Sequence, residues 1–369
     1  MTLLLLLAAV AAAASPAAAS PAAAPADPTI TLRNARGMTV RLIPQGAIVT
    51  AIEVPDRDGR LANVVLGYPK ASDYREKIRI NGFGATIGRY AGRIAGAAFP
   101  IDGRQVTLVP NDGANALHGG GRQGFDTVDW HIAARSADRV VFTLVSPDGF
   151  QNFPGRLTVS VTYRLAADNA LHLDYRAQTT RATALNITNH SYFNLAGEGS
   201  GLVLDQWLQL AAKRYVATDE SGIPTGALEP VADTPMDFRC PRRIGESMEA
   251  PRPPLTARGY NHGWLFDKPA GTLAPVARLI DPGSGRTLTI ETTEPSVQVY
   301  TGGYINGRDA GPSGHVYKAG DGVALEMQHV ADSPHHPEFP TTILRPGQTY
   351  RQTTIWRFGT DGTASPRCE

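Results

Sequence analysis

Glu326 and His190 are the residues of this chain whose types and surroundings suit proton transfer. Glu326 lies in Val323-Ala324-Leu325-Glu326-Met327-Gln328-His329. In an extended segment Val323, Leu325 and Met327 share one face, and Ala324, Glu326 and Gln328 share the other. A carboxylate framed by apolar residues is either half of a buried ion pair or a base facing a cleft. His190 lies in Thr188-Asn189-His190-Ser191-Tyr192-Phe193-Asn194-Leu195, where a strand is expected to end, among amides and hydroxyls that can fix an imidazole's tautomer. Side by side, the two groups would tune each other. A glutamate near pKa ~4.3 is ionised at neutral pH, and a histidine near ~6.5 is mostly neutral. A neighbouring carboxylate raises the histidine, so one base and one acid coexist at one pH. Such a pair moves protons.

Three more segments mix functional groups with glycine. In Gly88-Arg89-Tyr90-Ala91-Gly92-Arg93-Ile94 the glycines admit close backbone approach. A fixed guanidinium there either donates to vicinal hydroxyls or a carboxylate, or makes a surface salt bridge. Asn115-Ala116-Leu117-His118-Gly119-Gly120, with Gly124-Phe125-Asp126 and Trp130 after it, puts His118 at an exposed loop position. Gly259-Tyr260-Asn261-His262-Gly263-Trp264 completes the set.

Other patterns read as bland. Gly82-Phe83-Gly84-Ala85-Thr86-Ile87-Gly88 looks like a loose dinucleotide fingerprint, but the glycine-spaced residues after it make a poor helix, so no nucleotide cofactor is expected. Ser191 lacks a Gly-x-Ser-x-Gly turn. His329, His335 and His336 have no acidic or cysteine ligand at a compatible spacing, so no metal is expected.

The elements that position these groups read as strands: Ala47 to Val54, Val140 to Val145, Leu157 to Leu165, Ala170 to Ala177, Leu202 to Leu210, Arg286 to Glu291 and Tyr350 to Phe358. In Leu171-His172-Leu173-Asp174-Tyr175-Arg176 apolar and polar residues alternate, as a half-buried antiparallel strand requires, which puts His172 on the solvated face and outside any site. No dozen-residue helical period and no βαβ alternation is visible. The expected fold is all-β, two large antiparallel sheets packed face to face, with residues 28–369 as a single domain.

Composition agrees with a soluble chain that has a real core. Of 369 residues 42% are hydrophobic and 19% charged, and the 38 glycines and 28 prolines fit many turns and few long helices. A net charge of +1 without a polybasic run points to no nucleic acid and no anionic membrane surface as partner. Residues 1–27, Leu3 to Leu7 with Ala8 to Ala14 and an Ala/Pro/Ser run, read as a signal peptide and linker for a periplasmic or secreted protein. No basic residue precedes the apolar core, which is too short to span a bilayer. The two cysteines, Cys240 and Cys368, could pair in an oxidising compartment, but sequence alone does not bring their α-carbons together.

Five motifs in order resemble the aldose 1-epimerase (galactose mutarotase) family: residues 88–94, 115–120, 188–195, Val297-Gln298-Val299-Tyr300-Thr301-Gly302, and Leu325 to His329. The resemblance runs from about Thr31 to Phe358. It implies a β-supersandwich with an open sugar cleft, no cofactor and no metal, and a free aldohexose as substrate of a monomer or weak homodimer. It further implies Glu326 as general base, His190 as the acid on the ring oxygen, His118 assisting, and Arg93, Asn261 and Gln298 holding hydroxyls. Two positions depart from the family pattern: Gly92 stands where Asn is common, and Asn261 where Asp is common. The lost charge is expected to bind hydroxyls less strongly and to raise the pKa values of Glu326 and His190 less. The alternative is a non-catalytic carbohydrate-binding module on the same fold, which predicts loss of one member of the acid–base pair. Both members are present.

Overall fold

The computed structural model describes residues 28–256, 258–360 and 368. The signal and linker expected over residues 1–27 lie outside them. Two large sheets dominate, and all the pairings within them are antiparallel. The larger has nine strands, in the spatial order His131–Arg135, Arg139–Ser146, Leu157–Leu165, Ala170–Thr179, Tyr350–Thr360, Arg286–Thr292, Ala274–Ile280, Trp207–Leu210 and Arg242–Arg243. Its fifth strand, Tyr350–Thr360, comes last in sequence among the described strands yet pairs on both sides. The smaller sheet has six: Tyr192–Phe193, Val323–Gln328, Ser296–Tyr300, Asn261–Leu265, Arg214–Thr218 and Pro224–Pro230.

Alternation explains how the sheets meet. Leu157, Val159, Val161, Leu171, Leu173, Leu288, Ile290 and Trp356 from the nine-stranded sheet share one buried cluster with Val297, Val299, Val323, Leu325, Met327 and Trp264 from the six-stranded sheet. Each fully buried side chain of this size contributes roughly 1.5–3 kcal/mol. The face-to-face sandwich expected from period-two patterning is therefore what forms. His172 is half-exposed on the far side of its strand, as the alternation requires.

Two expectations need correcting. Only Trp207–Leu210 of the run 202–210 is a strand; the residues before it form a loop and turn. And a helix, Ala71–Asn81, does exist. It buries Tyr74 and Ile78 one turn apart while Arg75, Glu76, Lys77 and Arg79 leave the core, so its apolar stripe is too narrow to show as a long period. It starts at Lys70, whose backbone N–H donates to Asp73, and ends at Gly82 in a left-handed conformation. Among the described residues no helix is long and apolar enough to cross a membrane.

Candidate active site

Strand register on the outer face of the six-stranded sheet lines up the first group. Glu326 is paired with Gln298, and Gln298 with Gly263, so three positions stand abreast. One step along, Asn261 is paired with Tyr300. Leu325 and Met327 point the other way into the core, which anchors the strand that presents Glu326. Gln298 Nε2 donates to Asn261 Oδ1 at 2.9 Å, and that bond fixes both amides against the cleft.

His190 arrives from a different direction. It sits between the short strands Thr188–Asn189 and Tyr192–Phe193. Its N–H donates to Ala85 O at 2.9 Å and its carbonyl accepts from Gly84 N–H at 3.0 Å. Asn189 holds the loop from within, donating to Gly84 O and accepting from both N–H and O–H of Ser191. The glycine segment that mimics a dinucleotide fingerprint is thus the backbone partner of His190. Gly82 ends the helix beside the ring: a methyl placed there would lie 3.5 Å from His190 Cγ.

Arg93 opens, and His118 immediately follows, the short antiparallel pair Arg93–Ile94 and Ala116–Leu117. His118 is only partly exposed, less open than its glycine-rich setting suggested. Its ring stands edge-on to that of His190, centroids 5.3 Å apart. Gly92 N–H donates to His118 Nδ1 at 3.2 Å, which leaves Nε2 as the protonated nitrogen of the neutral ring. Arg93 Nε donates to Asp112 at 2.7 Å.

These side chains line one cleft of about 360 Å³, shared by Arg93, His118, His190, Asn261, Gln298 and Glu326. At its centre His190 Nε2 lies 3.6 Å from Glu326 Oε1, and both side chains are almost fully buried. That distance exceeds a hydrogen bond. Neither His190 Nδ1 nor Glu326 Oε2 has a hydrogen-bond partner among the described residues.

Burial pushes the Glu326 carboxyl above its usual range, while His190 and Arg93 pull the other way. His118 is pushed well below the ordinary imidazole value by burial first, then by His190, Arg79 and Arg93. It stays a neutral donor. His118, His190 and Glu326 offer ligand-type atoms within 4.8 Å of one another, the composition of a metal site. The Gly92 amide, however, donates to His118 Nδ1, which leaves the proton of the neutral ring on Nε2, so that nitrogen offers no lone pair to a metal.

All six residues expected from sequence meet here. Arg89, from the same motif as Arg93, does not: it is buried elsewhere, donating to Ser146, Pro147 O and Pro154 O. His262 alternates away from the cleft, accepts from the Asn261 N–H, and is pushed down to about 4 by burial. His329, His335 and His336 each meet a carboxylate. His329 Nδ1 meets Glu294 at 2.7 Å across 35 residues, a contact no spacing reveals. His335 meets Asp332 at 2.7 Å, and His336 meets Asp332 and Glu338 at 3.6 and 3.1 Å. The cleft residues not singled out from sequence include Arg79, Asp112, Tyr192, Tyr300 and Tyr304. Tyr300 lies one strand step beyond Gln298 on the same face, a signal that period-two reading could have used.

An antiparallel supersandwich with a buried glutamate and two histidines in one outer-face cleft defines the galactose mutarotase-like class, and comparison with known proteins agrees. The family model described as Aldose 1-epimerase matches residues 28–357. Galactose mutarotase from Rattus norvegicus is 41% identical over 321 residues, 87% of this chain and 91% of that protein. Aldose 1-epimerase from Escherichia coli K12 is 38% identical over 331 residues, 89% and 94% of the two chains. Among solved structures, an aldose epimerase homologue from C. elegans superposes with a TM-score of 0.82 at 29% identity, covering 90% of this chain and 98% of that one. Galactose 1-epimerase from Lactobacillus acidophilus NCFM gives 0.78, also at 29% identity, covering 90% and 94%. The chain belongs to the aldose 1-epimerase family.

Proposed function

We propose that this chain is a cofactor-independent isomerase that interconverts the α and β anomers of a free aldohexose, glucose or galactose. The observation that carries the reading is the buried His190–Glu326 pair, 3.6 Å apart on one cleft and not hydrogen-bonded to each other. Glu326 takes the proton of the C1 hydroxyl as protonated His190 delivers one to the ring oxygen. The C1–O5 bond then breaks and leaves the open aldehyde. Rotation about C1–C2 turns the other carbonyl face towards O5. On reclosure His190 recovers its proton from O5 and Glu326 returns the other to the carbonyl oxygen, so nothing is consumed. His118 donates a hydrogen bond near the ring oxygen, and Arg93, Asn261 and Gln298 hold hydroxyls. Asn261 Oδ1 accepts from Gln298, and being an amide the side chain meets the sugar without the charge a carboxylate would bring.

The same reading takes residues 28–369 as one domain, a monomer or weak homodimer, exported by residues 1–27 to the periplasm or exterior. The family match over residues 28–357 supports the first part. The Cys240–Cys368 disulfide supports an oxidising compartment.

The test is polarimetry of fresh α-D-glucose and α-D-galactose with wild type and Glu326→Gln. Wild type is expected to accelerate mutarotation over buffer, and the variant to lose ~10²–10⁴-fold. No acceleration by wild type would falsify the function; full activity in the variant would remove Glu326 from it.

A further inference from the structure

The loop that carries His118 has an improbable backbone. His118, Gly119, Gly120 and Gly121 take φ of +50°, +90°, +72° and +57°, four left-handed residues in succession. Three of these are glycines, which tolerate the conformation; His118 has a Cβ and does not favour it. Side chains at Gly119 and Gly120 would run into the carbonyls of Gly88 and Val109, so the arc is also hemmed in from outside. Something must hold the histidine there.

That something is a guanidinium on the last turn of the helix. Arg79 Nη2 donates to Gly121 O at 2.8 Å and to Gly120 O at 3.1 Å, and Nη1 reaches His118 O at 3.4 Å. Nη1 also donates to both carboxylate oxygens of Asp126 at 3.1 Å. Asp126 is itself buried beside the loop, so the cation is neutralised where it sits. Three carbonyls and one carboxylate around one planar group are a demand that a lysine, with three donors on a single nitrogen, does not meet. The helix that supplies Arg79 ends three residues later at Gly82, against the His190 ring. One helix terminus therefore touches both histidine loops.

We propose that Arg79 is a positioning residue for the isomerase reaction: its guanidinium clamps the His118–Gly121 arc so that His118 Nδ1 stays on the Gly92 amide and its ring stays on the cleft. The proposal rests on the reaction given above, with His118 as a donor to the sugar. A direct sugar ligand at this position would act mainly on KM. A clamp on a group that acts during ring opening acts on kcat.

The experiment compares wild type with Arg79→Ala and Arg79→Lys by polarimetric kinetics. It adds millimolar guanidinium or ammonium, and ¹⁵N-histidine two-bond correlation spectra of each protein. For Arg79→Ala, kcat is expected to fall about 10²-fold with KM nearly unchanged, as for a group misplaced by about 1 Å. Guanidinium should restore part of the loss and ammonium none. The His118 signal should lose its Nδ1-unprotonated signature, and Arg79→Lys should fail like Ala although its charge is kept. A kcat within about threefold of wild type overturns the proposal, as does lost activity with an unchanged His118 signal. If Arg79→Ala does not fold, Arg79→Lys carries the same readouts. If wild type fails to accelerate mutarotation, the function reading falls, and the His118 signal alone still decides whether Arg79 holds the loop.

Discussion

At the scale of single residues, the proposed catalytic role of Glu326 and its contribution to stability oppose each other. Its carboxyl is raised by burial, so the folded protein holds the proton more tightly than the unfolded chain does. Its favourable contribution to folding is thus fully present below the ordinary value of 4.5 and is lost as pH rises through the folded value. At neutral pH, where the proposed general base is ionised, holding that charge in a buried site costs stability. Leu325 and Met327 on the opposite face of the strand offset that cost, at roughly 1.5–3 kcal/mol each. Glu326→Gln is accordingly expected to raise the unfolding midpoint at pH 7 and to lose that advantage towards pH 4. Thermal unfolding across this range checks it, and an unchanged or lower midpoint at pH 7 counts against the account.

At the scale of elements, the site depends on where strands and one helix stop. Gly82 closes the helix with φ +68°, and its open flank faces the His190 ring. Gly82→Ala keeps van der Waals room there but forces a Cβ into the left-handed region, at a cost of about 1–2 kcal/mol. Chemical denaturation should show that loss while kcat stays within a few-fold; an unaltered midpoint would mean the helix end relaxes freely. Strands were the legible part of the sequence because their period of two puts one buried face in view, as at Leu171–Tyr175 and again at Val323–Met327. Glu326 could be read from that pattern directly, and His190 from its polar neighbours. The helix could not, since Tyr74 and Ile78 are the only apolar residues among the three that mark its buried side over 11 residues. Arg79 was hidden with it: nothing local says that a helical arginine will meet carbonyls about 40 residues further along. The roles of Arg93 and Gln298 came through resemblance, and the structure adds the neighbours, Asp112 and Asn261, that hold them.

At the scale of the whole molecule, the cross-link and the sheet order matter most. Cys240 and Cys368 pair with α-carbons 4.8 Å apart, settling what spacing left open. The bridge joins residues 128 apart in sequence, and on the chain-entropy account that closure stabilises the fold by up to about 5 kcal/mol. Unfolding in denaturant with and without reductant should therefore differ, the reduced form unfolding first. Coincident curves would show that the bridge does not constrain the unfolded chain.

The central place of Tyr350–Thr360 in the nine-stranded sheet has a consequence for how the molecule comes into being. Until residue 360 has left the ribosome, Ala170–Thr179 and Arg286–Thr292 are two raw edges with no partner between them, and the layer behind Glu326 is open. No partial chain can complete the barrier between core and solvent as it is made. Nascent chains should stay protease-sensitive and inactive until about residue 360 has emerged, which pulse-labelled, arrested chains treated with protease would show.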